Sequence, residues 1–418
     1  MKVLKFGGAS VKDAEGVKNL ARVLKQMDED NLVVVVSAMG KMTNALEGLV
    51  RAYFSGENGY KQLQSEIYHF HLQILNDLFD TTTHPVFKSV QSLFGDLTHF
   101  LDSNRSTNHS FVYDQVVSFG ELLSSRIISD YLDSIHIKNS YLDVRKCIAT
   151  NEDYRDAKVD WESTQRSITA MVSSTGLTVT QVFLGAEDTN NFTTTLGREG
   201  SDYTAAVFAY CLNAESVTIW KDVPGILNAD PRHFKETTLL NHISYRVAIE
   251  LAFYGASVIH PKTLQPLQRK EIPLYVKSFM NPTEPGTCVG KGVTLDPMIS
   301  CFILRKDQVL ISLSSLDFSF MMEDNFRDVF NLLHRFKMKV EMIQNSAISF
   351  SVCVDDKYGN LQPLLRKLRS NFNVTFFEGV TLYTIRHSKP KEIKDLIQNK
   401  KVLLRQESSD TVQLVVQE

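Results

Sequence analysis

Five consecutive apolar residues, Leu32-Val33-Val34-Val35-Val36, leave few folds open to this chain. A strand with one face in water alternates apolar and polar side chains. A run with no polar residue needs cover on both faces, which is the condition of a strand inside a parallel sheet. Upstream, residues 2 to 6 form a short apolar run ended by Gly7-Gly8, and Ala14, Val17, Ala21 and Leu24 then recur at helical spacing. Strand, loop, helix and buried strand make a β-α-β unit, so the chain is expected to be α/β.

Between about 45 and 135 the spacing predicts helices, with Leu63, Ile67, Phe70, Ile74 and Leu78 on one stripe and Phe87, Val90, Phe94, Leu97 and Leu101 on another. Strand patterns return at 178–184, 216–220 and 272–276. Residues 1–295 thus read as one large α/β unit, closed by the turn-rich Asn281-Pro282-Thr283-Glu284-Pro285-Gly286 and by Asp296-Pro297. Beyond it, strand runs at 309–313, 338–343, 347–354 and 373–377 alternate with helical stretches at 324–336 and 359–369, a ferredoxin-like βαββαβ order. Strands at 380–385, 401–407 and 411–416, with a helix near 389–398, form a shorter echo. Two related small modules are therefore expected, at 296–378 and 379–418, the second lacking its final helix and strand.

Composition removes several function classes. A net charge of −3 supplies no basic field to hold a nucleic-acid backbone. No run approaches the roughly 20 apolar residues a membrane helix needs, so no membrane partner is expected. The five cysteines are scattered, with no C-x-x-C pair for zinc or redox work. A cytoplasmic location is the expectation.

Three segments carry chemistry. Lys5-Phe6-Gly7-Gly8-Ala9-Ser10 sets a lysine at a strand end and two glycines at a helix entry, where backbone N–H groups are able to point at a phosphate; the plain alternative is a tight turn. Thr193-Thr194-Thr195-Leu196-Gly197-Arg198-Glu199-Gly200-Ser201-Asp202-Tyr203 crowds hydroxyls, an arginine and glycines before an Ala-rich helix, a composition suited to carboxylate and phosphate together. Trp220-Lys221-Asp222-Val223-Pro224-Gly225, followed by Asp230-Pro231-Arg232, reads in isolation as a turn.

Taken in order, these segments resemble the aspartate kinases of the amino-acid kinase superfamily, almost end to end. Ser37-Ala38 to Thr43-Asn44, Phe119-Gly120-Glu121-Leu122-Leu123-Ser124 and Gly255-Ala256-Ser257-Val258-Ile259-His260-Pro261 extend the likeness. The resemblance implies a carbamate-kinase-like three-layer αβα sandwich followed by ferredoxin-like α+β ACT modules. It implies transfer of the ATP γ-phosphoryl group to the side-chain carboxylate of L-aspartate, opening lysine, threonine and methionine biosynthesis. Lys5 would stabilise the moving phosphoryl group and Asp202 would orient Lys5. Arg198 would clamp the aspartate α-carboxylate, Glu121 would take its ammonium, and Thr43 and Ser201 would complete the pocket. Gly7, Gly8, Ser10, Lys221, Asp222 and Arg232 would face ATP, with Mg²⁺ carried by the phosphates and no metal ligand from the protein. A duller reading makes Glu121 and Arg126 a helix-surface pair, Asp202 a helix cap and Arg232 a solvated loop residue.

The chain departs from that pattern at Ala9 and Val182, where the family usually has Thr and Gly, and at Lys221, Leu227 and Ser257, slots often filled by Thr, Tyr and Lys. In the first small module Asn325-Phe326 and Glu341 stand where a lysine-sensitive enzyme has Gly-Phe and Asp. The resemblance therefore implies an amino-acid effector at the ACT modules without naming it, and a homodimer. A catalytically weak paralogue acting as an amino-acid sensor, and a kinase of another amino acid, are the competing readings.

Overall fold

The computed structural model describes all residues except 28, 57, 58, 257, 258, 318 and 418. The chain divides into two compact units, one of Met1–Ile226, Leu239–Ile249 and Val258–Leu295, the other of Leu227–Thr238, Glu250–Ser257 and Asp296–Glu418.

The first unit is built on an eight-stranded sheet. Its order is Asn139–Leu142, Gly176–Gln181, Asn31–Val36, Lys2–Phe6, Ser216–Lys221, Leu274–Ser278, Thr287–Gly290 and His242–Ser244. The first six strands run parallel, and Leu274–Ser278 meets Thr287–Gly290 antiparallel. Val33 to Val36 are all fully buried in the interior of this sheet, as the unbroken apolar run requires. Alternation then sorts the first strand: Leu4 and Phe6 join the core formed with the helices Ala14–Met27 and Phe119–Ser134, while Val3 and Lys5 point to the opposite face. There the helix Gly200–Leu212 packs, apolar nearly all round and buried over most of its length. This is the three-layer αβα arrangement.

Register decides what meets at the sheet edge. Lys5 pairs with Val35 on one side and Ile219 on the other, and Phe6 with Val36 and Trp220. The carboxyl ends of three adjacent parallel strands therefore open onto one crevice, where ligands of open α/β sheets bind. The expected helical region resolves into Met42–Ser55, Gly59–Leu78, Pro85–Ser103, His109–Val117 and Phe119–Ser134, and the aromatic stripes are core.

The second unit holds a six-stranded antiparallel sheet, ordered Lys339–Asn345, Ser349–Asp355, Cys301–Ser315, Phe372–Arg386, Thr411–Gln417 and Lys401–Glu407. The helices Glu323–Arg335 and Leu361–Leu368 share one core with its first part. The helix Pro390–Ile397 contributes Ile393 to another with Tyr383, Ile385, Val412, Leu414 and Val416. Here the structure differs from the sequence reading. The runs at 373–377 and 380–385 are one strand, Phe372–Arg386, and the strand before the first helix starts at Cys301. Gly379, with φ +65°, interrupts the apolar pattern, but a register irregularity between Arg305 and Leu310 on the facing strand lets the ladder continue past it. The shorter echo thereby gains a strand from Cys301–Arg305, which pairs with Leu382–Arg386.

Candidate active site

Lys5, one residue before the end of the strand Lys2–Phe6, has its side chain almost wholly buried, and its Nζ lies 2.7 Å from Oδ1 of Asp202. Asp202 comes from the first turn of Gly200–Leu212. The neighbouring strand ends in Lys221, whose Nζ is 3.3 Å from the other Asp202 oxygen. Two ammonium groups thus bracket one buried carboxylate. Burial alone would raise the Asp202 carboxyl, but Lys5 and Lys221 outweigh it and hold it below the usual carboxylate range. The net result is a fixed positive field at the strand ends.

The loop after Lys5 needs its glycine. A Cβ on Gly8 would lie 2.8 Å from the carbonyl oxygens of both Ala38 and Gly40, and Gly40 N–H donates to the Gly8 carbonyl at 3.0 Å. The loops after the first two parallel strands are therefore in backbone contact. Ser10 is buried and its hydroxyl donates to the Trp220 carbonyl at 3.3 Å, so it stitches this loop to the next strand.

Across the crevice stands Glu121, in the first turn of Phe119–Ser134 and 2% exposed. Its Oε1 accepts from Ala38 N–H at 3.4 Å, and its Oε2 has no hydrogen-bond partner among the described residues. Burial pushes its carboxyl up to about 8. The helix-surface pairing with Arg126 does not form: Arg126 lies 3.8 Å from Asp130 and stacks 4.0 Å over the Tyr141 ring.

One pocket of about 310 Å³ is lined by Lys5, Gly8, Glu121, Ser201, Asp202 and Lys221, together with Thr43 from the start of Met42–Ser55 and the loop residues Ser37, Ala38 and Gly40. Glu199 also lines it, a residue that sequence reasoning passed over although it sits between Arg198 and Gly200. Arg198 itself is exposed and is not among the lining residues. Gly7, beside Lys5 Nζ, lies just outside the lining, and Asp222 is exposed beyond the strand end. Arg232 belongs to the second unit, where its guanidinium forks onto Asp230, the shortest contact being 2.6 Å. Ser257 lies outside the described residues. His260 caps the helix Pro261–Lys270 by accepting from Lys262 N–H at 3.1 Å. Among the described residues no group of three or more His, Cys, Asp or Glu side chains could hold a metal ion.

The residues singled out in the small modules are engaged locally. Asn325 accepts from Met322 N–H at 2.8 Å at the start of Glu323–Arg335, and Phe326 packs on Phe350. Glu341 sits at a register irregularity in Lys339–Asn345. It forms ion pairs with Arg305 and, at 2.8 Å, with Lys339. Within one chain, then, Glu341 already has cationic partners and stands at the opposite end of its strand from Asn345, whose partner Phe350 meets Phe326.

The sequence pattern described as "Amino acid kinase family" matches residues 1–278. Lysine-sensitive aspartokinase 3 of Escherichia coli (strain K12) is 31% identical over 395 residues, 92% of this chain and 86% of that protein. Aspartokinase 1, chloroplastic, of Arabidopsis thaliana is 29% identical over 84% of this chain, which spans 63% of that longer relative. The crystal structure of E. coli aspartokinase III in complex with lysine and aspartate matches with a TM-score of 0.82 at 29% identity, covering 99% of this chain and 95% of that one. The same enzyme in complex with aspartate and ADP gives 0.80 at 29%, covering 100% and 96%. The crevice at the strand ends, its buried lysine and carboxylates, and these likenesses have one common explanation: the chain belongs to the amino acid kinase family, among its aspartokinases.

Proposed function

We propose that this chain is an ATP-dependent aspartate kinase, converting L-aspartate to 4-phospho-L-aspartate. The observation that carries the reading is the polarity of one small pocket. Lys5 and Lys221 around Asp202 form a cationic end suited to phosphate, and the buried, half-unpartnered Glu121 forms a carboxyl end that ionises when an ammonium meets it. An oxygen of the aspartate β-carboxylate attacks the γ-phosphorus, and the bond to the β,γ-bridging oxygen breaks to release ADP. The nucleophile has no proton to lose, so no general base is required. Because the transition state is loose and its charge spread over the phosphoryl oxygens, rate comes from position and electrostatics.

Lys5 stabilises the moving group, and Asp202 holds Lys5 in place. Gly7 and Gly8 offer backbone donors at the phosphates, with Ser10 bracing their loop. Lys221 and Asp222 are assigned to the nucleotide, and Thr43, Glu121, Arg198 and Ser201 to aspartate. Arg198 has the planar fork that matches an α-carboxylate. Both Asp202 oxygens are occupied by lysines, so the residues fit an Mg²⁺ that arrives on the ATP phosphates and keeps its waters rather than one caged by the protein. The metal supplies charge neutralisation on the phosphates.

The reading extends to an early step of lysine, threonine and methionine synthesis, to a homodimer, and to ACT modules that answer an amino-acid effector. Five unpaired cysteines are consistent with a cytoplasmic location. The test is formation of aspartyl hydroxamate from ATP, Mg²⁺, aspartate and hydroxylamine. Product with aspartate and none with glutamate supports the reading; equal product with glutamate, or none with either, refutes it.

A further inference from the structure

The turn Leu196 to Gly200 carries Arg198 next to Glu199, which lines the pocket, and is tightly pinned. Gly197 has φ +73°, and a Cβ there would lie 2.5 Å from Oδ1 of Asp156. Glu199 is also left-handed, at φ +58°. Gly200 N–H donates to the Gly197 carbonyl at 3.0 Å, and Leu196 N–H to the Phe183 carbonyl at 2.9 Å. Arg198 itself, exposed and without an ion pair among the described residues, takes its position from this backbone alone. What holds the first carbonyl of the turn comes from far along the chain.

Lys262, in the first turn of Pro261–Lys270, sends its Nζ to the Leu196 carbonyl at 2.7 Å. The ammonium also stands 3.7 Å from Asp156 and 4.8 Å from the centre of the Tyr203 ring. It is thus directed by a carbonyl, a carboxylate and an aromatic face at once, with its side chain 24% exposed. Tyr203 follows the turn in the helix Gly200–Leu212, and Asp156, from a distant loop, meets it in space at Gly197, so the lysine ties both to the Leu196 carbonyl. Taking an ammonium largely out of water is costly, and here the Leu196 carbonyl, Asp156 and the Tyr203 ring offset that cost.

We propose that Lys262 is a positioning residue for aspartate binding, acting through the Leu196 carbonyl to set the backbone from which Arg198 reaches the substrate. This rests on the assignment of Arg198 to the α-carboxylate. Arginine recognises a carboxylate through two parallel N–H donors, so a small backbone displacement forfeits the fork geometry. ATP is assigned to Lys5 and the glycine loop, whose residues lie outside this turn.

Lys262→Met keeps the apolar stem beside Tyr203 and removes the charged donor; Lys262→Arg restores a donor. In steady-state hydroxamate assays of the full chain, Lys262→Met is expected to raise aspartate KM about tenfold, equivalent to about 1.4 kcal/mol. Its kcat and ATP KM stay close to wild type, and Lys262→Arg recovers most of the aspartate KM. A purely structural role would lower the active fraction without splitting the two KM values. Arg198→Lys is run alongside. If it raises aspartate KM and Lys262→Met does not, the inference is overturned; if Arg198→Lys leaves aspartate KM unchanged, the assignment of Arg198 is wrong. Hydrogen exchange of the ligand-free protein judges Lys262 independently: faster exchange in peptides covering 196–201 of Lys262→Met supports the clamp, and unchanged exchange there overturns it.

Discussion

Glu121→Gln is expected to stabilise the protein while crippling aspartate binding. The Glu121 carboxyl is 2% exposed, has one long hydrogen bond from Ala38 and an unpartnered second oxygen, and titrates at about 8 instead of an ordinary 4.5 because burial penalises its charge. In the unfolded chain the same group ionises freely. Between pH 4.5 and about 8 the folded protein therefore holds a proton that the unfolded chain has released, so stability falls as pH rises through that window and levels off above it. Each pH unit is equivalent to about 1.4 kcal/mol. At pH 7, about 2.5 pH units above the ordinary value, the ligand-free enzyme gives up about 3 kcal/mol on this account. Glutamine keeps the shape and has no proton to exchange.

Urea denaturation of wild type and Glu121→Gln from pH 5 to 8.5, without substrate, should therefore show a gap in favour of the variant that is small at pH 5 and widens with pH to a few kcal/mol. Aspartate supplies the missing cation, so its binding should release a proton and its KM in the wild type should fall from pH 7 to 8.5. In Glu121→Gln, aspartate KM should rise at least tenfold, the scale expected for losing a charge-assisted contact of 1.5–3 kcal/mol, taken as a rough figure. A variant less stable than wild type at pH 8, or a gap independent of pH, would refute the reasoning.

Lys5→Ala should retain its fold by circular dichroism yet lose about a hundred- to a thousandfold in kcat, the usual cost of one transition-state electrostatic contact; near wild-type turnover rules out its role. Gly8→Ala places a methyl 2.8 Å from two carbonyl oxygens that belong to the backbone and cannot swing aside. It should cost about 1 to 3 kcal/mol in stability and raise ATP KM, whereas unchanged melting and ATP KM would show that the loop shifts freely. In the second unit Glu341 neutralises Arg305, so Glu341→Ala should lower the melting temperature, and lysine should inhibit the wild type weakly. Strong inhibition at low micromolar lysine, abolished in Glu341→Ala, would show that this glutamate serves as the effector's ammonium site.

Much of the candidate site was legible because its residues are local in sequence. The buried run Leu32–Val36 required a parallel sheet covered on both faces, and alternation along Lys2–Phe6 then required Lys5 to face away from Leu4 and Phe6. Gly7-Gly8 and Gly197 to Asp202 mark turns whose need for glycine is set by the backbone itself. The family likeness rests on these same stretches. Pairing is another matter. That Lys221 shares Asp202 with Lys5 follows from the register of Lys2–Phe6 against Ser216–Lys221, a contact between strands some two hundred residues apart. The long strand Phe372–Arg386 was likewise hidden, since Gly379 breaks the apolar pattern and only the facing irregularity carries the ladder across. Glu341 shows the same limit: its residue type suggested an ammonium ligand, and its partner Arg305 lies on another strand. Side-chain type and spacing along the chain determined which chemistry was available. Which charges neutralise one another, and which, like the free oxygen of Glu121, are left facing a pocket, was decided by tertiary packing, because electrostatic energy depends on distance and burial in space rather than on separation in sequence.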